Sequence, residues 1–301
     1  MDVVYYTNKG GREINEDSLF VTDGAYVVCD GLGGHDSGEV ASNCAVKVMS
    51  ELCVEDTPYT PDLINTFYLR ANQAVIALKE QALTTIVGGF VRDGIFYYQS
   101  VGDSRLYYFR NNRRLTQTKD DSVCQAAVDL GSMDYEDIRT SEDRSRLLKV
   151  LGNDPELKIL RRYDPITIEE GDAFLVCSDG FWEHVLDEEM EDTLKDAVDA
   201  EEWLNVMLRI QYSRAKNLDD NYTVICGIAG ADDVTGNTPA LEQKSSAADE
   251  TYREEEKEPE YVTDMASPAD TSQQFKRISG QETMEEEEPE RRGFFARLFG
   301  R

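Results

Sequence analysis

Along the first 229 residues, short apolar runs alternate with longer stretches in which apolar side chains recur every three or four positions. The runs are β-branched and aromatic, and they predict strands over 2–6, 19–22, 26–29, 83–91, 95–101, 106–110, 159–163, 173–177 and 222–229. Asp93-Gly94 between two of them is a hairpin signal, so the strands are expected to pair largely antiparallel. The three-and-four spacing predicts amphipathic helices over 37–54, 61–81, 188–198 and 200–215; Leu63, Phe67, Ala71, Ala74 and Leu78 form one such stripe. Because the helices come grouped in pairs, the pattern implies an α+β fold in which two antiparallel sheets pack together and helices cover them outside.

Beyond residue 229 the pattern collapses. Residues 230–290 are rich in Glu, Asp, Ser, Thr, Pro and Ala, with runs of glutamate at 254–256 and 285–288, and bury too little apolar surface to offset chain entropy. A disordered acidic tail is expected there, after a folded domain spanning 1–229. The end, 291–301, reverses the charge and sets Phe294, Phe295, Leu298 and Phe299 at helical spacing among arginines. Such a segment suits docking on a partner, on its own acidic domain or on a membrane surface.

The whole chain carries 31 basic and 60 acidic residues for a formal charge of −29, which argues against nucleic-acid binding. The first residues lack the basic start of a secretory leader and no apolar stretch is long enough to span a bilayer, so a cytoplasmic, monomeric protein is expected. Of the six cysteines, Cys29, Cys177 and Cys226 lie inside apolar runs and no Cys-x-x-Cys occurs, which predicts reduced core residues.

Chemistry enters through four acidic turns. Asp30-Gly31, Gly102-Asp103, Asp179-Gly180 and Asp219-Asp220-Asn221 each adjoin a strand-like run. One Asp-Gly alone is more often a plain turn. Several at sheet ends are expected to converge, and converging carboxylates repel unless cations compensate them. Oxygen-only ligands favour Mn²⁺ or Mg²⁺ over Zn²⁺. Two such ions about 3.5–4 Å apart would hold a bridging water acidic enough to attack phosphorus. Arg12 could clamp a phosphate bidentately, while Glu16 and Asp17 add carboxylates for the second ion. His35, ending the Gly-rich turn, could protonate a leaving oxygen, whereas His184 reads as structural.

Arg12-x-x-Asn15-Glu16-Asp17-Ser18, Asp30-Gly31-Leu32-Gly33-Gly34-His35, Val101-Gly102-Asp103-Ser104-Arg105, Cys177-Ser178-Asp179-Gly180-Phe181 and Asp220-Asn221-x-Thr223 occur in this order. Together they resemble the bacterial-type, metal-dependent serine/threonine phosphatases of the protein phosphatase 2C family. The resemblance implies a four-layer αββα sandwich with a two-metal centre at one end of the sheets. It also implies that Asp30 bridges both ions, the carbonyl of Gly31 completes one, and Asp179 with Asp220 holds the other. Arg12 would bind the substrate phosphate, Asp17 and Glu16 would sit at or just outside the second ion, and Asp103, assisted by Glu183, would serve a weaker third. Phosphorylated proteins, including a serine/threonine kinase or its targets, are the implied partners. The different-class alternative is a catalytically silent phosphoprotein-binding module of the same fold. The chain departs from the family at Leu83-Thr84-Thr85, usually Gly-Thr-Thr, and at Asp120-Asp121-Ser122, usually Asp-His-Ser. The departures bear on the local backbone near the first helix pair and on the exposed flap expected over 122–153, and so on substrate preference.

Overall fold

The computed structural model describes residues 1–33, 37–78, 82–159, 161–214 and 220–234, together with the backbone of 276–278. In chain order the elements are β1 (Asp2–Asn8), β2 (Asp17–Thr22), β3 (Ala25–Leu32), α1 (Ser37–Leu52), α2 (Pro61–Ala77), β4 (Leu83–Thr84), β5 (Ile86–Arg92), β6 (Ile95–Val101), β7 (Arg105–Arg110) and β8 (Arg113–Gln117). There follow α3 (Val123–Asp129), β9 (Ile166–Thr167), β10 (Ala173–Cys177), α4 (Asp179–Trp182), α5 (Asp187–Asp196), α6 (Ala200–Arg214), β11 (Tyr222–Ile228) and β12 (Lys276–Ile278). One sheet runs β12-β1-β11-β10-β7-β8 and the other β2-β3-β5-β6-β9, with β4 paired to β3. The neighbours pair antiparallel.

Strand alternation explains the layering. On β1, Val3 and Tyr5 face one way and join Tyr26, Val28, Phe96, Tyr108, Phe174 and Ile225 in the core between the sheets. Val4 and Tyr6 face the other way, against α4, α5 and α6, where Trp182, Trp203, Met207 and Leu208 are buried. Phe20, Val27 and Cys29 pack likewise under α1 and α2 with Ala45, Met49, Phe67 and Val75. Two sheets between two helical layers are the expected αββα sandwich. Among the described residues no helix is long and apolar enough to cross a membrane.

Asp93 and Gly94 adopt φ of 51° and 67°, the left-handed pair of a type I′ turn, as the hairpin signal required. Asn111 and Asn112 repeat the device at φ 53° and 57° and join β7 to β8, a strand too polar to be read from periodicity. Among the described residues of the strand expected at 159–163, namely 159 and 161–163, none is in a strand. Ile159 instead packs on the α1–α2 core, and Tyr163 stacks on Tyr98 with ring centroids 4.9 Å apart just before Asp164-Pro165 restricts the backbone. The basic aromatic end at 291–301 and most of the acidic stretch lie outside the described residues; β12, inside that stretch, pairs with the edge of β1.

Candidate active site

The antiparallel ladders bring one end of every long strand to the same end of the sandwich. Asp17 opens β2 directly opposite Asp30 near the end of β3. Asn8 ends β1 opposite Tyr222, which opens β11 just after Asp220 and Asn221. Cys177 ends β10 opposite Arg105, which opens β7 just after Asp103, and Asp179 follows two residues on. Pairing register thus carries sequence-distant carboxylates to one end of the sandwich.

Hydrogen bonds lock these ends together. The Ser178 hydroxyl donates to Asp17 Oδ2 at 2.7 Å and joins the two sheets. Asn221 holds the loop that carries Arg12: its Nδ2 donates to the carbonyls of Lys9 and Ile14, each at 2.9 Å, and its Oδ1 accepts from the Glu16 amide at 2.8 Å. The Asp30 amide donates to Thr85 Oγ1 at 3.0 Å, and its carbonyl accepts from the Thr85 amide and the Thr84 hydroxyl, both at 2.8 Å. The family departure at Leu83 falls in β4 beside these threonines and leaves their contacts to Asp30 intact. At Gly31 a Cβ would run into the carbonyl oxygen of Gly38, so only glycine lets α1 begin against the end of β3.

The electrostatics are those of crowded acids. Burial pushes the Asp17 carboxyl up to about 7, over the opposing pull of hydroxyls from Ser178 and Thr223, with Asp220 and Glu16 adding to the rise. Asp103 is likewise pushed up to about 7 by burial and then Asp120, with Arg105 opposing. Asp30 and Asp179 keep one side open to solvent, yet burial raises both well above the usual carboxylate range. Next in weight come Asp17 and Asp179 for Asp30, and Asp103, Asp220 and Glu183 for Asp179. Among the described residues no three His, Cys, Asp or Glu side chains stand close enough to form a ready-made ion cage, so this mutual coupling is what links the acids into one site. The set suits a hard divalent cation: its donors are oxygens, Asp17 Oδ1 is buried without a hydrogen-bond partner, and a cation would relieve the repulsion.

Arg12 lies at the rim, its Nη2 donating to Asp220 Oδ2 at 3.0 Å with both side chains about half exposed. Glu183 accepts from Arg144 Nε at 2.6 Å, which brings the flap to the acids. His35 lies outside the described residues. His184 follows α4, and its carbonyl accepts from Arg214 Nη1 at 2.6 Å.

Sequence reasoning missed Arg105 and Trp182. The guanidinium, 1 % exposed, forks onto both carboxylate oxygens of Asp120 at 2.8 Å and stacks 3.5 Å from the ring of Trp182, whose indole donates to the Asp103 carbonyl at 2.9 Å. The signal was the arginine ending Val101-Gly102-Asp103-Ser104-Arg105. Asp121, the second departure from the family pattern, faces Lys149 and Arg161 at 3.6 and 3.7 Å and ties down the flap base. All six cysteines are unpaired thiols. Cys29, directly before Asp30, is pushed well up by burial and then by Asp17 and Asp30; Cys177 rises mainly through burial.

A pH dependence follows. In the metal-free protein Asp17 and Asp103 keep protons up to about 7 that the unfolded chain releases near 3.8. Between those values the folded state binds more protons, so stability falls as pH rises through the window. Urea unfolding of the metal-free protein should give a stability at pH 5 on the order of 2–4 kcal/mol above that at pH 7.5. A stability that climbs over this range would contradict the burial of these acids.

A family model described as Protein phosphatase 2C matches residues 11–217. The serine/threonine phosphatase stp of Listeria welshimeri is 29 % identical over 242 residues, covering 75 % of this chain and 94 % of that protein. The crystal structure of the Mycobacterium tuberculosis serine/threonine phosphatase PstP/Ppp superposes with a TM-score of 0.65 at 25 % identity, covering 76 % of this chain and 100 % of that one. The catalytic domain of PstP solved in complex with two manganese ions has the same fold, with a TM-score of 0.65 at 24 % identity over 76 % of this chain and 99 % of that one.

Proposed function

Because this chain belongs to the protein phosphatase 2C family and is a serine/threonine phosphatase, we propose that it hydrolyses phosphoserine and phosphothreonine in proteins by direct attack of water, with no covalent phosphoenzyme. The observation that carries this reading is the set of mutually repelling carboxylates delivered to one end of both sheets. On this reading Asp30, the Gly31 carbonyl, Asp179 and Asp220 would hold two Mn²⁺ or Mg²⁺ ions, with Asp17 at or just outside the second. Glu16 lies in the surrounding shell, and Asp103 with Glu183 offers a weaker third position. When bound, the ions lower the pKa of water and neutralise charge on the phosphoryl oxygens.

The remaining steps belong to the chain. Arg12 at the rim receives the phosphate through its planar fork, and its ion pair with Asp220 fixes that fork relative to the acids. His35 gives a proton to the departing serine or threonine oxygen. Substrates are phosphorylated proteins, among them a serine/threonine kinase or its targets, and residues 1–229 form the catalytic domain.

Phosphate release from a phosphothreonine peptide tests the reading. Turnover should require Mn²⁺ or Mg²⁺ and fall to background in EDTA. Hydrolysis that survives chelation, or a protein that binds the peptide without turning it over, would overturn it.

A further inference from the structure

Two adjacent side chains in the last turn of α6 reach opposite walls of the site. Gln211 is fully buried, and its Nε2 donates to the carbonyl of Gly180 at 2.8 Å. Gly180 follows Asp179, and a Cβ on it would run into the carbonyl oxygen of Asn221, so the Asp179 turn rests directly against the residue after Asp220. Gln211 Oε1 has no hydrogen-bond partner. A buried amide using only its donor side is a net liability to the core, which leaves the grip on Gly180 as the reason to have one there.

Tyr212 points elsewhere. Its hydroxyl lies 2.7 Å from that of Tyr6 and accepts from Tyr222 at 3.1 Å. The Tyr6 hydroxyl accepts from Asn8 Nδ2 at 3.1 Å, and Asn8 Oδ1 accepts from the amide of Gly10 at 2.9 Å, two residues before Arg12. The chain of hydroxyls and amides thus ends in the loop that presents the guanidinium.

We propose that Gln211 is a positioning residue for Asp179, and Tyr212 a positioning residue for the Arg12 loop, so that one turn of α6 sets the metal-binding and phosphate-binding halves of the site separately. The inference rests on the roles proposed above for Asp179 and Arg12. The anchor from the helix to the Gly180 carbonyl fixes the backbone of the Asp179 turn from behind.

The test uses the full chain, Gln211→Met and Tyr212→Phe. Calorimetric titration should show Mn²⁺ binding to Gln211→Met weakened about tenfold, as for other residues that orient a ligand from behind. Its KM for a phosphothreonine peptide at saturating Mn²⁺ should stay within about twofold of the parent. Tyr212→Phe should do the reverse, leaving Mn²⁺ binding unchanged while KM rises about threefold or more. Gln211→Leu should repeat the methionine result if that variant folds poorly. Variants that lose only melting temperature, with Mn²⁺ affinity and KM as in the parent, would reduce both residues to core packing and overturn the inference. A parent protein that binds no Mn²⁺ would instead remove the reading beneath it.

Discussion

Replacing Asp30 with asparagine should cut turnover of a phosphothreonine peptide about a thousandfold or more at every Mn²⁺ concentration. Asparagine keeps the shape of the side chain and its backbone contacts to Thr84 and Thr85, so the loss isolates the charge. A thousandfold is about 4 kcal/mol of transition-state stabilisation, within the range that a carboxylate shared by two ions supplies. The same substitution should have the opposite effect on the metal-free protein. Asp30 is raised by burial first and then by repulsion from Asp17, Asp179, Asp103 and Asp220, and asparagine removes its share of that repulsion. Thermal melts without metal should therefore rise, while the stabilisation conferred by Mn²⁺ should shrink. If Asp30→Asn keeps activity within tenfold of the parent, the assignment of Asp30 is wrong.

Arg105→Met should destabilise the protein by about 3–5 kcal/mol while replacing no proposed ligand, because it leaves the Asp120 carboxylate buried and uncompensated. The guanidinium also donates to the hydroxyls of Tyr107 and Tyr135 at 3.3 and 3.2 Å and covers the face of Trp182. Lysine should rescue little, having neither the fork nor the flat stacking surface. Removing both charges with Arg105→Met and Asp120→Leu should recover much of the loss, since a buried pair replaced by apolar groups is often neutral. Urea unfolding at pH 7.5 decides: a loss under about 1 kcal/mol for the single variant would show that the pair is not what holds the flap base to α4.

Much of this was legible in the chain because each expected element carried its own cause. The strands at 95–101 and 173–177 match the structure end to end, since their apolar runs stop at the turns that deliver Asp103 and Asp179. The acidic motifs were legible as turns, and their convergence follows from antiparallel pairing. What escaped was decided by long-range contacts. β8 is polar and at most half-buried, and only Asn111-Asn112 ahead of it signalled a hairpin. The run at 159–163 had strand composition, but its described residues pack through Ile159 and Tyr163 and take a side-chain hydrogen bond from Gln99 to the Arg161 carbonyl instead of a strand partner. Gln211 looked like a polar position on an amphipathic helix, and nothing local distinguishes an amide facing water from one gripping a carbonyl 31 residues away.

The cysteines next to the acids bear on how oxidants meet this enzyme. Attack on peroxide or an alkylating agent requires thiolate, and burial beside carboxylates keeps Cys29 protonated, as burial chiefly does for Cys177. The direct attack of water proposed above calls on no thiolate, so reagents that consume ionised thiols should leave hydrolysis running.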